Sequence, residues 1–93
     1  MTRFHALIVG KLDRDLSNSI TSSLFYQFPE LRTRKISEIH LDFSESSGID
    51  KDGIDLLKLL HNSCNKLIVL NTTKTIRSSL KSKKVDTLVV FLS

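Results

Sequence analysis

Four short apolar runs separated by amphipathic stretches constrain this chain more than any other feature. RFHALIVG (3–10) closes on Gly10 and reads as a strand. ISEIHLDF (36–43) alternates, with Ile39, Leu41 and Phe43 on one face and His40 and Asp42 on the other. KLIVLN (66–71) is apolar without alternation, the pattern of a central strand. For VDTLVVFLS (85–93), periodicity leaves a last strand and a terminal apolar helix both open. Between these runs lie three helical patterns. The polar stretch KLDRDLSNS reads as a loop, and Ser17 or Ser19 caps a helix that carries Ile20, Leu24 and Phe28 at four-residue spacing until Pro29 stops it. A second helix puts Gly53, Leu56, Leu57, Leu60 and Cys64 on one stripe. A third, within TTKTIRSSLKSKK, is basic with Ile76 and Leu80 turned inward. The expected elements are strands near 4–9, 36–43, 66–71 and 86–91, and helices near 18–28, 53–63 and 74–82. The order β-α-β-α-β-α-β requires crossover connections, so the fold class is α/β: a small mixed, at least partly parallel sheet with helices packed on it.

At 93 residues the chain is expected to form one domain, 1–93, burying roughly 60–65% of its unfolded surface. A 40% hydrophobic and 26% charged composition is ordinary for a globular protein. The net charge of +4 favours acidic partners weakly and falls far short of a nucleic-acid-binding tail. Cys64 is the sole cysteine, so no internal disulfide forms, which fits a reducing, cytoplasmic compartment. The N-terminus lacks the apolar length and cleavage site of a signal peptide, and no apolar run reaches membrane-spanning length, so direct membrane insertion is not expected.

A catalytic constellation is hard to assemble. His5, His40 and His61 have no ligand-like spacing to one another or to Cys64, so no metal site is expected, and Cys64 reads as a small buried hydrophobe at a helix end. Gly10, Gly48 and Gly53 build no phosphate-cradling loop, so no cofactor is expected and no nucleotide should bind tightly. Asp42, Asp50, Asp52 and Asp55 form the acidic cluster. With no nucleophile or oxyanion donors beside it, helix capping by Asp50 or Asp52 is the simpler reading than acid–base chemistry. Asn71-Thr72-Thr73 matches a glycosylation sequon but reads better as a turn and N-cap. The cations fall into two groups, Arg32, Arg34 and Lys35, and Lys74, Arg77, Lys81, Lys83 and Lys84. A nucleic-acid surface would interleave them with exposed aromatics, whereas FYQF (25–28) sits where its helix should be buried, so nucleic acid is the less favoured partner.

The order of elements and four short motifs together resemble the STAS domain family, whose best-known members are bacterial anti-sigma-factor antagonists. GKLD (10–13) follows the first strand and LDFS (41–44) ends the second. IDKDG (49–53) leads into the Leu-rich IDLLKLL, and TIRSSL (75–80) matches the last helix. The resemblance runs from about Phe4 nearly to the end of the chain. It departs from the family pattern in two ways. The first hairpin strand is shortened or missing. The serine before the loop glycine, the phosphorylation site of the sigma-regulating members, falls on Asp52, which is not phosphorylatable, with Lys51 at the preceding serine.

The resemblance implies a non-enzymatic, cytoplasmic interaction module without catalytic residues. Its partner-binding surface would comprise Asp50, Lys51, Asp52, Gly53, Asp55 and Lys58. The implied partner is an anti-sigma factor or similar kinase-like protein. The alternative is the ATPase of a Mla-type ABC phospholipid transporter, with the chain peripheral to the inner membrane through that subunit. A third reading is a basic nucleic-acid-binding domain. A carboxylate at position 52 either mimics the phosphate permanently or only caps the helix.

Overall fold

The computed structural model describes residues 2–92. Strands and helices alternate as β1 (Arg3–Leu12), α1 (Arg14–Gln27), β2 (Ile36–Ile49), α2 (Lys51–His61), β3 (Cys64–Leu70), α3 (Lys74–Ser82) and β4 (Val90–Leu92). Short 3₁₀ turns occupy Pro29–Arg32 and Asp86–Leu88. The strands form a single sheet in the order β1-β2-β3-β4, and every pairing is parallel. The parallel pairing expected for part of the sheet therefore extends to all of it.

A sheet wound in sequence order, with each crossover of the same hand, carries its helices on one face. The register confirms this. Ala6, Leu41, Val69 and Phe91 lie abreast across the four strands, and all belong to the core or pack on it. The next row, Leu7, Asp42, Leu70 and Leu92, lies wholly outside the core. Ile20 and Leu24 of α1, Leu56, Leu57 and Leu60 of α2, and Ile76 and Leu80 of α3 fill the space above the first row. The stripe read from the sequence is buried as expected, although Cys64 stands at the start of β3 rather than on α2. Its Sγ lies 3.2 Å from the Leu60 carbonyl, and burial pushes its thiol pKa up.

Several boundaries differ from those expected. Helix α1 begins at Arg14, not after Ser17 or Ser19, and its N-cap is Asp13, whose carboxylate accepts from Leu16 N–H at 3.0 Å. The polar stretch KLDRDLSNS is not a loop: it ends β1, supplies the cap and opens the helix, because Asp caps as well as Ser and an acidic residue suits the positive helix end. Strand β2 runs on through SESSGI to Ile49. These residues are poor strand formers by themselves, but β1 holds them in register through two bulges, between Leu7 and Val9 and between Gly10 and Lys11. Gly10 takes φ +79° beside the second bulge, a conformation only glycine adopts easily. Within FYQF, Phe28 packs against the core and meets Phe4 edge-on at 6.5 Å, but Tyr26 is 88% exposed. The C-terminal run resolves into a 3₁₀ turn and the short strand β4, with Ser93 outside the described residues. Thr73 caps α3 as expected, accepting from Ile76 N–H at 3.2 Å.

Two outcomes test this packing. Leu57 is fully buried, so Leu57→Ala should cost roughly 2–5 kcal/mol in urea unfolding; a loss well under 1 kcal/mol would show that α2 does not seal the core. The second outcome is acid sensitivity. Glu38 is held below the ordinary carboxylate pKa chiefly by its hydrogen bond with His40, and Asp42 chiefly by the Ser44 backbone N–H and then by Asn71. Depressed folded-state pKa values contribute stability above the unfolded values, about 4, and lose it as pH falls through the folded ones. The melting temperature should therefore fall between about pH 5 and pH 3, with a shallower fall in the double variant Glu38→Gln, Asp42→Asn.

Candidate partner-docking site

The acidic residues read from the sequence as one cluster are divided by the fold. Asp42 points to the face of the sheet opposite the helices, where it accepts from Ser44 N–H at 2.9 Å and from the Asn71 side chain at 3.1 Å. Asp50 and Asp52 instead sit at the carboxyl edge of the sheet, and Asp13 and Asp15 join them there.

The reason is a local repeat. Leu12-Asp13-Arg14-Asp15 and Ile49-Asp50-Lys51-Asp52 have the same pattern of apolar residue, aspartate, cation, aspartate. Each closes a strand and opens a helix, and Leu12 and Ile49 are paired in the sheet. The two helix starts are thereby set side by side. In each, the first aspartate is the N-cap: Asp13 accepts from Leu16 N–H and Asp50 from Gly53 N–H, at 3.0 and 3.1 Å. Of the two capping candidates on α2, Asp50 is therefore the cap. Asp52 lies in the first helical turn and reaches Arg14 of the other repeat, Oδ2 to Nε 3.7 Å, both side chains well exposed. Such an exposed pair adds little to stability.

Gly53 brings the two repeats together. It is buried, and a β carbon there would lie 2.5 Å from the Leu12 carbonyl oxygen and 2.6 Å from Ile49 Cγ1. The same Leu12 carbonyl accepts the Asp50 backbone N–H at 3.2 Å. Gly53 thus offers no side chain to a partner; its role is the close approach of α2 to β1.

Asp13, Arg14, Asp15, Asp50 and Asp52 surround a shallow depression of about 280 Å³. Four carboxylates outweigh one guanidinium, while the two helix dipoles contribute opposing partial positive charge. A second hollow of about 220 Å³ continues between α1 and α2, past Asp52 and Asp55 to Leu56 and Leu59. The buried Ser17, on the α1 wall of this hollow, has no hydrogen-bond partner for its hydroxyl among the described residues. Lys51, Asp55 and Lys58 are exposed along α2. The surface therefore combines carboxylates, two exposed lysines and an apolar floor, which suits recognition of a protein surface. Among the described residues no group of three acidic, His or Cys side chains is placed to hold a metal ion.

Sequence reasoning did not place Asp13, Arg14 and Asp15 at this site, and it read Ser17 as a helix cap rather than a buried residue of α1. The repeated tetrapeptide was the available signal: an aspartate three residues before the first inward leucine is an N-cap pattern.

No family model matches the chain, and no curated protein is similar to it. Among solved structures, the anti-sigma factor antagonist SpoIIAA in its unphosphorylated form is similar at a TM-score of 0.69 with 18% identity. The match covers 99% of this chain and 83% of that one. The chain has the STAS fold. The resemblance seen in GKLD, LDFS, IDKDG and TIRSSL thus reflects a shared architecture, with GKLD and IDKDG at the two adjacent helix starts. No helix among the described residues is long and apolar enough to cross a membrane.

The closeness of Gly53 to β1 sets two effects against each other. Alanine is the better helix former by about 1 kcal/mol, but its methyl group would strike a backbone carbonyl. Gly53→Ala should therefore be net destabilising, by on the order of 1–3 kcal/mol in denaturant unfolding. Asp50→Ala should cost about 1 kcal/mol through the lost cap. A stabilised Gly53→Ala protein would show that α2 can move off β1 at no cost.

Proposed function

We propose that this chain is a non-enzymatic STAS-type module, acting in the cytoplasm, that docks a protein partner on the N-terminal half of α2. In this reading Asp52, Lys51, Asp55 and Lys58 meet the partner, while Asp50 and Gly53 hold the helix start in place. The partner is an anti-sigma factor or a related kinase-like protein, and Asp52 occupies the position of the serine that such a kinase would phosphorylate. A carboxylate carries one negative charge and offers fewer acceptor oxygens than a phosphate. It accepts no phosphoryl group at a hydroxyl, so the module works without that switch. The observation that carries the reading is the exposed, doubly charged start of α2, in a fold shared with an anti-sigma factor antagonist.

Charged groups of both signs at an interface set partner orientation and exclude wrong partners. If a kinase-like protein is encoded beside this chain's gene, its titration is the direct test. Asp52→Lys and Lys58→Glu proteins, shown to be folded by their melting curves, should each bind about tenfold or more weakly than the parent. Incubation with that kinase and labelled ATP should leave position 52 unlabelled. Undiminished binding by both variants would move the interface off α2. Capture of a transporter ATPase in place of a kinase would reassign the module to lipid transport.

A further inference from the structure

An all-parallel sheet is ordinarily covered on both faces, because its crossover helices pack on each. Here the helices cover one face only. The other presents four of the six large hydrophobic side chains that are exposed in the described structure: Leu7 at 48%, Val9 at 65%, Val90 at 38% and Leu92 at 45%. Ile68, at the centre of this face between His40 and Val90, is only 3% exposed yet lies outside the helix-side core. We propose that this face is an interaction surface whose occupant is a second copy of the same chain, sheet packed against sheet.

Three observations favour a second copy. The first is charge. At the register positions of this face, Arg3, Lys11 and Lys66 balance Glu38, Asp42 and Glu45. The face is neutral in a chain of net charge +4, so two copies that repel elsewhere can meet here without net repulsion. The second is that two of its three carboxylates are already paired within the chain. Glu38 lies 3.4 Å from Arg3 and 2.7 Å from His40, and Asp42 is held by Ser44 and Asn71. Covering such groups strands fewer hydrogen-bonding atoms than covering unpaired ones. The third is size. Strands of 10, 14, 7 and 3 residues, at roughly 16 Å² of sheet each, make a face on the order of 500 Å². Two such faces give about 1,000 Å², the lower bound of a specific interface, so the association should be real but weak. The two sheets would stack about 10 Å apart, with Leu7, Val9, Val90 and Leu92 of each copy between them.

This surface lies on the side of the sheet opposite the helices, so the test is independent of partner docking on α2. Sedimentation of the whole chain from about 10 µM to about 1 mM should show the mass rising towards two chains, twice the 10.6 kDa of one. Val9→Lys and, separately, Leu92→Lys should weaken the self-association at least tenfold. Their melting curves should stay near the parent's, since neither side chain enters the core. Tyr26→Lys, on the helical side, should leave association unchanged. A single-chain mass across the whole range would overturn the proposal, as would a dimer that survives both face substitutions. A chain that stays single until a different protein is added, and that loses this protein on Val9→Lys, would also overturn it by giving the face to another occupant.

Discussion

Helix α2 begins directly over the end of β1, and the rest of the molecule depends on that contact. The Leu12 carbonyl receives the Asp50 N–H on one side and leaves no room for a β carbon at Gly53 on the other. A single missing side chain lets the second strand-to-helix turn settle against the first. Without it α2 would ride outward, Leu57 and Leu60 would lose their depth in the core, and the two helix starts would separate. The glycine costs helix propensity, so its presence reflects packing rather than local preference.

The same contact creates the acidic edge. Two turns of like sequence, each with an aspartate cap and a second aspartate behind a cation, become neighbours only because Leu12 and Ile49 pair in the sheet. Each cap alone is a helix-stabilising device. Side by side they concentrate four carboxylates around one depression in a chain that is basic overall. That polarity separates this surface from the cationic α3, where Arg77 lies over the Phe91 ring at 5.0 Å and donates to Thr72. The acidic edge therefore carries local charge opposite in sign to the molecule as a whole.

Winding in sequence order has a further consequence. It gathers the three helices over one face and leaves the other to side chains alone. The strands reflect this: β1 alternates between core residues and exposed ones, and β2 sets Ile39, Leu41 and Phe43 against a row of His and acidic residues in which Glu38 meets His40 and Arg3 of β1, and Asp42 meets Asn71 just after β3. Only β3, inside the sheet, is buried on both sides over Leu67, Ile68 and Val69.

What the sequence by itself determined was periodic. Alternating apolar runs and helical stripes specified the order of elements, the central place of KLIVLN, the buried stripe of α2 and the inward Ile76 and Leu80, because burial requires those spacings whatever the neighbours are. Motif spacing carried the resemblance to the STAS fold for the same reason: strand ends and helix starts need particular residue types. Tertiary structure alone decided the rest. SESSGI became strand because β1 supplies the hydrogen-bond ladder its own residues do not favour. Tyr26 faced outward because α1 covers the core with Ile20 and Leu24 on its other side. Asp42 left the acidic cluster, and Asp13 and Asp15 entered it, because proximity across thirty-odd residues depends on strand register, and register is a property of the assembled sheet rather than of any segment in it.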